Sequence, residues 1–205
     1  MESGIVQVLM SGGWMMIPIL LCSLLALTIS LERWSYFRSL QSGRLAPDIL
    51  QLVEQQEFSK AVSFAQEHPG PVLRVVAEGV RNRSQDPTKA MEAAGLSELA
   101  LMKRGLSILD TIVTLGPLLG LLGTIIGMID SFGVMSESGL GNPNAVTGGV
   151  AEALVCTAAG IFVAVTTLIP YNFFLRKMEK ESELIELFAT RTEAALHKRS
   201  DETHP

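Results

Sequence analysis

Val150-Ala-Glu152-Ala-Leu-Val-Cys156-Thr157-Ala-Ala-Gly160-Ile-Phe-Val-Ala-Val-Thr-Thr167-Leu-Ile-Pro170 is an apolar run interrupted by a single carboxylate, and after Glu152 no charge follows until Arg176. A helix needs roughly 20 mostly apolar residues to cross the hydrocarbon core of a bilayer. The stretch therefore predicts a membrane-spanning helix over 148–175. Glu152, Cys156, Ala159, Gly160, Val163, Thr167 and Pro170 fall at helical spacing and make a stripe of mostly small residues, with Thr157 on a neighbouring face. An acid at mid-membrane costs about 2.5–3.5 kcal/mol on the insertion scale. Glu152 is therefore a candidate functional group.

Two further runs extend the pattern. Trp14 to Leu31 predicts a span over 14–32, and Ile108 to Met135 predicts one over 108–135. All 16 Lys and Arg residues lie between Arg33 and Arg104 or from Arg176 onward. Cytoplasmic flanks are the ones enriched in these residues. The expected topology has a short periplasmic amino end at 1–13 and a cytoplasmic helical region at 33–107. A periplasmic turn follows at 136–147, and a cytoplasmic helix and tail at 176–205. Trp14, Trp34 and Tyr171 stand where interfacial aromatic anchors belong. Nothing before Arg33 is basic and no small-residue cleavage site is evident, so the first run reads as an uncleaved span and not as a signal peptide.

Residues 33–107 predict short helices punctuated by breakers. Pro47-Asp48 starts one, with Ile49, Leu52 and Val53 apolar behind it; Phe58 to Ala65 suits a second. His68-Pro69-Gly70-Pro71 is a break before a third at Val72 to Val80. Asp86-Pro87 opens a fourth, expected to run unbroken from about Thr88 into the second span. Beyond Arg176 the helix is expected to continue to about Leu196, with Leu184, Leu187 and Phe188 facing one way and a frayed tail from Ser200. The fold class expected is an all-α membrane protein of three transmembrane helices with long cytoplasmic extensions.

Several function classes are excluded or unsupported. The net charge of −5 comes without a basic stripe interleaved with aromatics, so nucleic acid is not an expected partner. Cys22 and Cys156 fall inside predicted spans and read as packing residues; no His/Cys grouping suggests a metal or a cofactor. His68, His197 and His204 lie outside the spans and form no cluster. No nucleophile elbow, HExxH or phosphate-binding loop is present, so enzymatic activity is not expected. Asp110 and Asp130 read as interfacial carboxylates, Asp110 also as a partner for Lys103 or Arg104.

The second span carries Gly116, Gly120, Gly123 and Gly127, with Pro117 and Thr124 among them. Small residues four apart let helix backbones approach closely in lipid. Together with Gly160 they are the expected helix-packing and partner-facing positions, and Pro117 adds a freed carbonyl. On the glycines alone, packing without chemistry is the better reading. Desolvation would raise the Glu152 pKa above its ordinary value of about 4.3. The hydroxyls of Thr124 and Thr157 can then serve the carboxyl, a water or a transported ion. The alternative is a carboxylate reaching water at the outer interface.

Gly116-Pro-Leu-Leu-Gly120-Leu-Leu-Gly123-Thr124-Ile-Ile-Gly127-Met, Val150-Ala-Glu152-Ala-Leu-Val-Cys-Thr157-Ala-Ala-Gly160 and Pro170-Tyr-Asn172 closely resemble the MotA/TolQ/ExbB proton-channel family. Leu31-Glu32-Arg33 after the first span also fits. Three spans with a modest cytoplasmic insert look like its ExbB/TolQ branch. The resemblance places the family's ion-pathway threonine, glutamate and threonine on Thr124, Glu152 and Thr157. It implies a bacterial inner-membrane ring, a homo-oligomer of five copies, around a dimeric ExbD- or TolR-like single-span partner. A TonB- or TolA-like effector would receive the work. The paired isoleucines at 125–126 depart from a bulky Val-Trp pair common in that branch. A sodium-driven stator-like channel and a non-conducting scaffold remain alternatives.

Overall fold

The computed structural model describes residues 13–40, 42–138 and 143–202. Its helices are α1 (Met16–Ser39), α2 (Ser42–Glu54), α3 (Phe58–Glu67), α4 (Pro71–Arg81), α5 (Pro87–Lys103), α6 (Leu106–Ser138) and α7 (Pro143–Glu202). Among the described residues there is no strand. Three helical stretches, Met16–Ser39, Pro87–Ser136 and Thr147–His197, are long and apolar enough to cross a membrane. The protein is an all-α membrane protein. The chain divides into two compact units, Met1–Arg33 with Gly105–Phe173, and Trp34–Arg104 with Phe174–Pro205.

The first unit holds α6, most of α1 and the first half of α7. Its buried positions on α6, Leu106, Leu109, Ile112, Gly116, Gly120, Gly123 and Ser131, step by three, four or eight residues and so stay on one helix face. Ala153, Cys156, Gly160, Val163, Ala164 and Thr167 do the same on α7. The large apolar side chains point the other way: Leu121, Ile125 and Ile129 on α6 and Leu154, Phe162 and Ile169 on α7 are exposed. Such a surface is stable in hydrocarbon, which is as apolar as leucine. Where α1 leaves this unit, Arg33 is buried beside Glu32, with its Nη2 donating to Oε1 over 2.8 Å.

The second unit is built like a water-soluble helical domain. Along α4, Val72, Leu73, Val75, Val76 and Val80 are all buried, and α2, α3 and α5 supply its packing partners. Gly79 leaves room for Met91, whose Cγ would lie 2.6 Å from a Cβ at that position. Asp86 caps α5 by accepting from the Lys89 N–H over 3.0 Å, which satisfies one of the orphan donors of a first turn. Phe37 stacks on Phe174 with ring centroids 5.5 Å apart.

Four sequence expectations need correction here. The helix read as starting at Pro47 starts at Ser42, with Pro47 inside it. An interior proline costs about 3 kcal/mol. Burial of Ala46, Ile49, Leu50 and Val53 on one face of α2 offsets that, at about 1.5–3 kcal/mol for each large aliphatic side chain. The helix expected to run unbroken from Thr88 into the second span is interrupted at Arg104–Gly105. Arg104 is extended (ψ 131°) and Gly105 takes φ +81°, a left-handed conformation open to glycine at little cost. A Cβ there would also stand 3.1 Å from Ile29 Cγ2. Ser200 to Glu202, expected to be frayed, are helical, since α7 continues to Glu202. Finally, Leu187 is exposed while Ile185, Phe188 and Thr192 form the buried face. Of the turn expected at 136–147, residues 139–142 fall outside the described ones; α6 reaches Ser138 and α7 begins at Pro143.

Candidate functional site in the membrane unit

Within this unit α6 and α7 meet backbone to backbone. A Cβ on Gly116 would fall 2.8 Å from the Gly160 carbonyl oxygen, and one on Gly120 would fall 3.0 Å from Thr157 Cα. At Gly127 it would fall 2.9 Å from Ala153 Cβ. At Gly123 it would collide with Cys156 Sγ, and at Gly160 with the Gly116 carbonyl. Hydrogen is the only side chain these five positions accept without movement. The glycines expected to pack helices or face partners here pack α6 against α7 within one chain. Pro117 is half-buried within α6, and the bond it cannot donate leaves the Val113 carbonyl unmatched by its own helix.

Thr124 and Thr157 sit in this seam and are hydrogen-bonded to each other. Thr157 Oγ1 donates to the Gly120 carbonyl over 2.9 Å. Thr124 Oγ1 lies 3.2 Å from that same carbonyl and 3.3 Å from the carbonyl of Ala153. Two hydroxyl protons are therefore distributed over two hydroxyl and two carbonyl oxygens. Each hydroxyl also keeps lone pairs with which to accept. The result is a small, oxygen-rich polar centre in an otherwise apolar helix pair. Cys156, one helical position before Thr157, is buried as packing, as the sequence suggested.

Glu152 does not join that centre. Its carboxyl lies over Gly13, which has φ +68°, and in the single chain the residue is exposed. Of the partners open to the two threonine hydroxyls (the carboxyl, a water or a transported ion), the carboxyl is not the one met within this chain: they bond to each other and to main-chain oxygens. The reason is angular. Residues five apart on a helix are separated by about 140°, so when Thr157 is turned into the α6 seam, Glu152 is turned out of it.

Sequence reasoning missed Ala153, Gly149 and Ser131 as parts of the seam. Ser131 Oγ donates to the Gly127 carbonyl over 2.7 Å and fills the space that a Cβ on Gly149 would need. The signal was present, because Ser131 continues the Gly123/Gly127 series by four residues, but its neighbour Asp130 draws the eye to the interface. Asp110 also stands beside a group that was not anticipated, the Tyr171 hydroxyl of α7. Among the described residues no three His, Cys, Asp or Glu side chains gather as metal ligands would.

A family model described as the MotA/TolQ/ExbB proton channel family matches residues 67–187. The chain is 37% identical over 185 residues to ExbB-like 3 of Synechocystis sp., covering 86% of this chain and 88% of that protein. It is 31% identical over 193 residues to the biopolymer transport protein exbB1 of Vibrio cholerae, covering 90% and 80%. To the Tol-Pal system protein TolQ of Pseudomonas aeruginosa it is 31% identical over 140 residues, covering 68% and 58%.

Proposed function

The chain belongs to the MotA/TolQ/ExbB proton channel family, in its ExbB/TolQ-like branch, and on that premise we propose that it is the ion-conducting subunit of a bacterial inner-membrane motor. Protons moving down their gradient would drive it. A unit charge gains about 2.3 kcal/mol per 100 mV on crossing the membrane, so a few protons supply mechanical work without ATP. The working form is a homo-oligomeric ring, a pentamer, around a dimer of an ExbD/TolR-like single-span protein. A TonB- or TolA-like effector would carry the work into the envelope. The amino end faces the periplasm and the carboxyl end the cytoplasm.

The exposure of Glu152 carries this reading. A carboxylate on the outer surface of a single membrane unit is left to lipid unless it reaches water at the outer interface or another chain or a water-filled lumen covers it, and at the helix centre leaving it in lipid costs about 2.5–3.5 kcal/mol. Assembly into a ring supplies that cover and places the acid where ions would pass. The threonine centre contributes polar oxygens to the same helix pair. Its wholly oxygen donor set favours Na⁺ as the second reading for the ion, since hard cations take oxygen ligands.

The test is proton flux and complementation for Glu152→Gln, alongside co-purification of the single-span partner. Loss of flux with assembly retained supports conduction. Full activity in assembled complexes eliminates a protonatable role for Glu152, and loss of activity that always tracks loss of assembly leaves only a scaffold. Orientation is checked separately: a Ser138→Cys variant should be labelled by an impermeant reagent from outside and a Ser63→Cys variant should not.

A further inference from the structure

Exposed leucines mean different things in the two units. In the membrane unit they face lipid. In the second unit, whose α4 core is that of a water-soluble domain, Leu96 is 63% exposed on α5 without any such explanation. It borders a groove between α5 and the carboxyl-terminal part of α7. Two open depressions of about 440 and 450 Å³ share Leu99, Ser182 and Glu186 and so form one trough. The trough runs from Lys103 and Met178 at one end to Thr88 and Glu193 at the other. At 1.5 Å per residue, the 15-residue step along α5 makes it roughly 22 Å long, the length of a four-turn helix.

The lining is divided by chemistry. Gly95, Leu96, Leu99, Ile185 and Ala189 give an apolar floor. Glu92, Glu179, Glu183 and Glu186 stand along the trough, with Lys103 as the one Lys or Arg in its lining, and Glu193 at its far end already accepts from the Thr88 hydroxyl and lies 3.8 Å from His197. Gly95 keeps the floor low, because a Cβ there would come within 3.3 Å of Ile185 Cγ2. Amphipathic helices dock by laying an apolar face into such a groove, and charge complementarity then sets orientation and on-rate. An acidic headgroup surface is repelled by these carboxylates.

We infer that the α5/α7 trough is a docking site for an amphipathic helix bearing Lys or Arg along its flanks, contributed by another polypeptide. A second copy of this chain is the less suited occupant. The five cations between Lys60 and Lys89 are already engaged: Lys60 with Glu57, Arg74 with Glu98, Arg81 with Glu78 and Lys89 with Asp86. Arg83 donates to the Val80 carbonyl and lies over the Phe58 ring. The site needs no ion flux, so it extends the proposed function without depending on conduction.

The experiment uses the full chain in nanodiscs of zwitterionic lipid. The probe is a labelled 16-residue synthetic helix with Leu on one face and Lys on its flanks, followed by fluorescence anisotropy. Saturable binding is expected. It should weaken by about tenfold or more, equivalent to about 1.4 kcal/mol, for the Glu92→Lys/Glu186→Lys double variant, and that variant should instead accept the same helix carrying Glu for Lys. The Glu-bearing helix should not bind the unaltered chain, a comparison that needs no variant. A photo-crosslinker at position 96 reports what covers the trough in cells. Equal binding of both helices, binding unchanged in the double variant, or crosslinks from position 96 joining two copies of this chain would each overturn the inference. Since anisotropy measures no transport, failure here and failure of conduction are separate results.

Discussion

The two units of this chain are built inside out relative to one another. In the second, the interior is made of large side chains, Ile49, Leu73, Val76, Met102 and Phe174, all at 1% exposure or less. In the membrane unit the centre of the α6/α7 contact is made of the smallest residues, while Leu, Ile and Phe face outward. Removing apolar surface from water stabilises the first arrangement by about 25 cal/mol per Å². In lipid that gain between helices is absent, and close backbone contact with satisfied polar groups takes its place. Polar residues follow the same inversion. Arg74 and Glu98 pair across α4 and α5 with the arginine half in water, whereas Thr124 and Thr157 turn to each other and to carbonyls.

The largest effect that could break this comparison lies at Glu152. Glu152→Gln should abolish energised work while leaving the complex assembled, read as flux and complementation beside co-purification. Next comes Gly123→Leu, which must displace Cys156 and sits 3.4 Å from Met15 Cβ before any side chain is extended. Overpacking of this kind costs about 1–3 kcal/mol or more. A lowered thermal midpoint in detergent should accompany it, and an unchanged midpoint would mean that the seam is not closed as described. In the second unit, Arg74→Ala leaves Glu98 buried without its partner and should cost about 1–3 kcal/mol in denaturant unfolding. Thr157→Val removes the bond to Gly120 at nearly constant volume, for about 1 kcal/mol of stability, together with a partial loss of flux.

The smallest effect is a pH dependence at the start of α5. The Lys89 side chain, and then its N–H, hold the Asp86 carboxyl below its ordinary value of 3.8. A depressed folded pKa contributes stability that is present above the unfolded value and lost as pH falls through the folded one. Amide exchange in the first turn of α5 should therefore speed up below about pH 4, and Asp86→Asn should remove that dependence. Because the Asp86 side chain is about half exposed, salt should weaken the effect.

Much of this was legible in the primary structure, and what was not has identifiable causes. The three apolar runs and the glycine series are strong periodic signals, and the helices and seam follow them. Glycine's role was ambiguous, however, because a small stripe says that something comes close without saying whether it belongs to the same chain. The break at Arg104–Gly105 hid behind good helix formers on both sides, with a lone glycine as the single cue. Pro47 misled in the opposite direction, since the local cost of a proline was outweighed by burial that only tertiary packing reveals. That Thr157 lies on a different face from Glu152 was legible from the 100° turn per residue, but that this face is the one closed against α6 was not.

The threonine centre has one more consequence. Thr124 and Thr157 hold two protons for four oxygens, so several proton arrangements share one set of heavy-atom positions. Switching between them is a rotation about a C–O bond, and it reverses the local dipole without moving either helix. Where backbone contact at Gly116, Gly120 and Gly160 forbids any displacement, this centre can still respond to a nearby charge. The seam is therefore mechanically rigid and electrically soft at the same place.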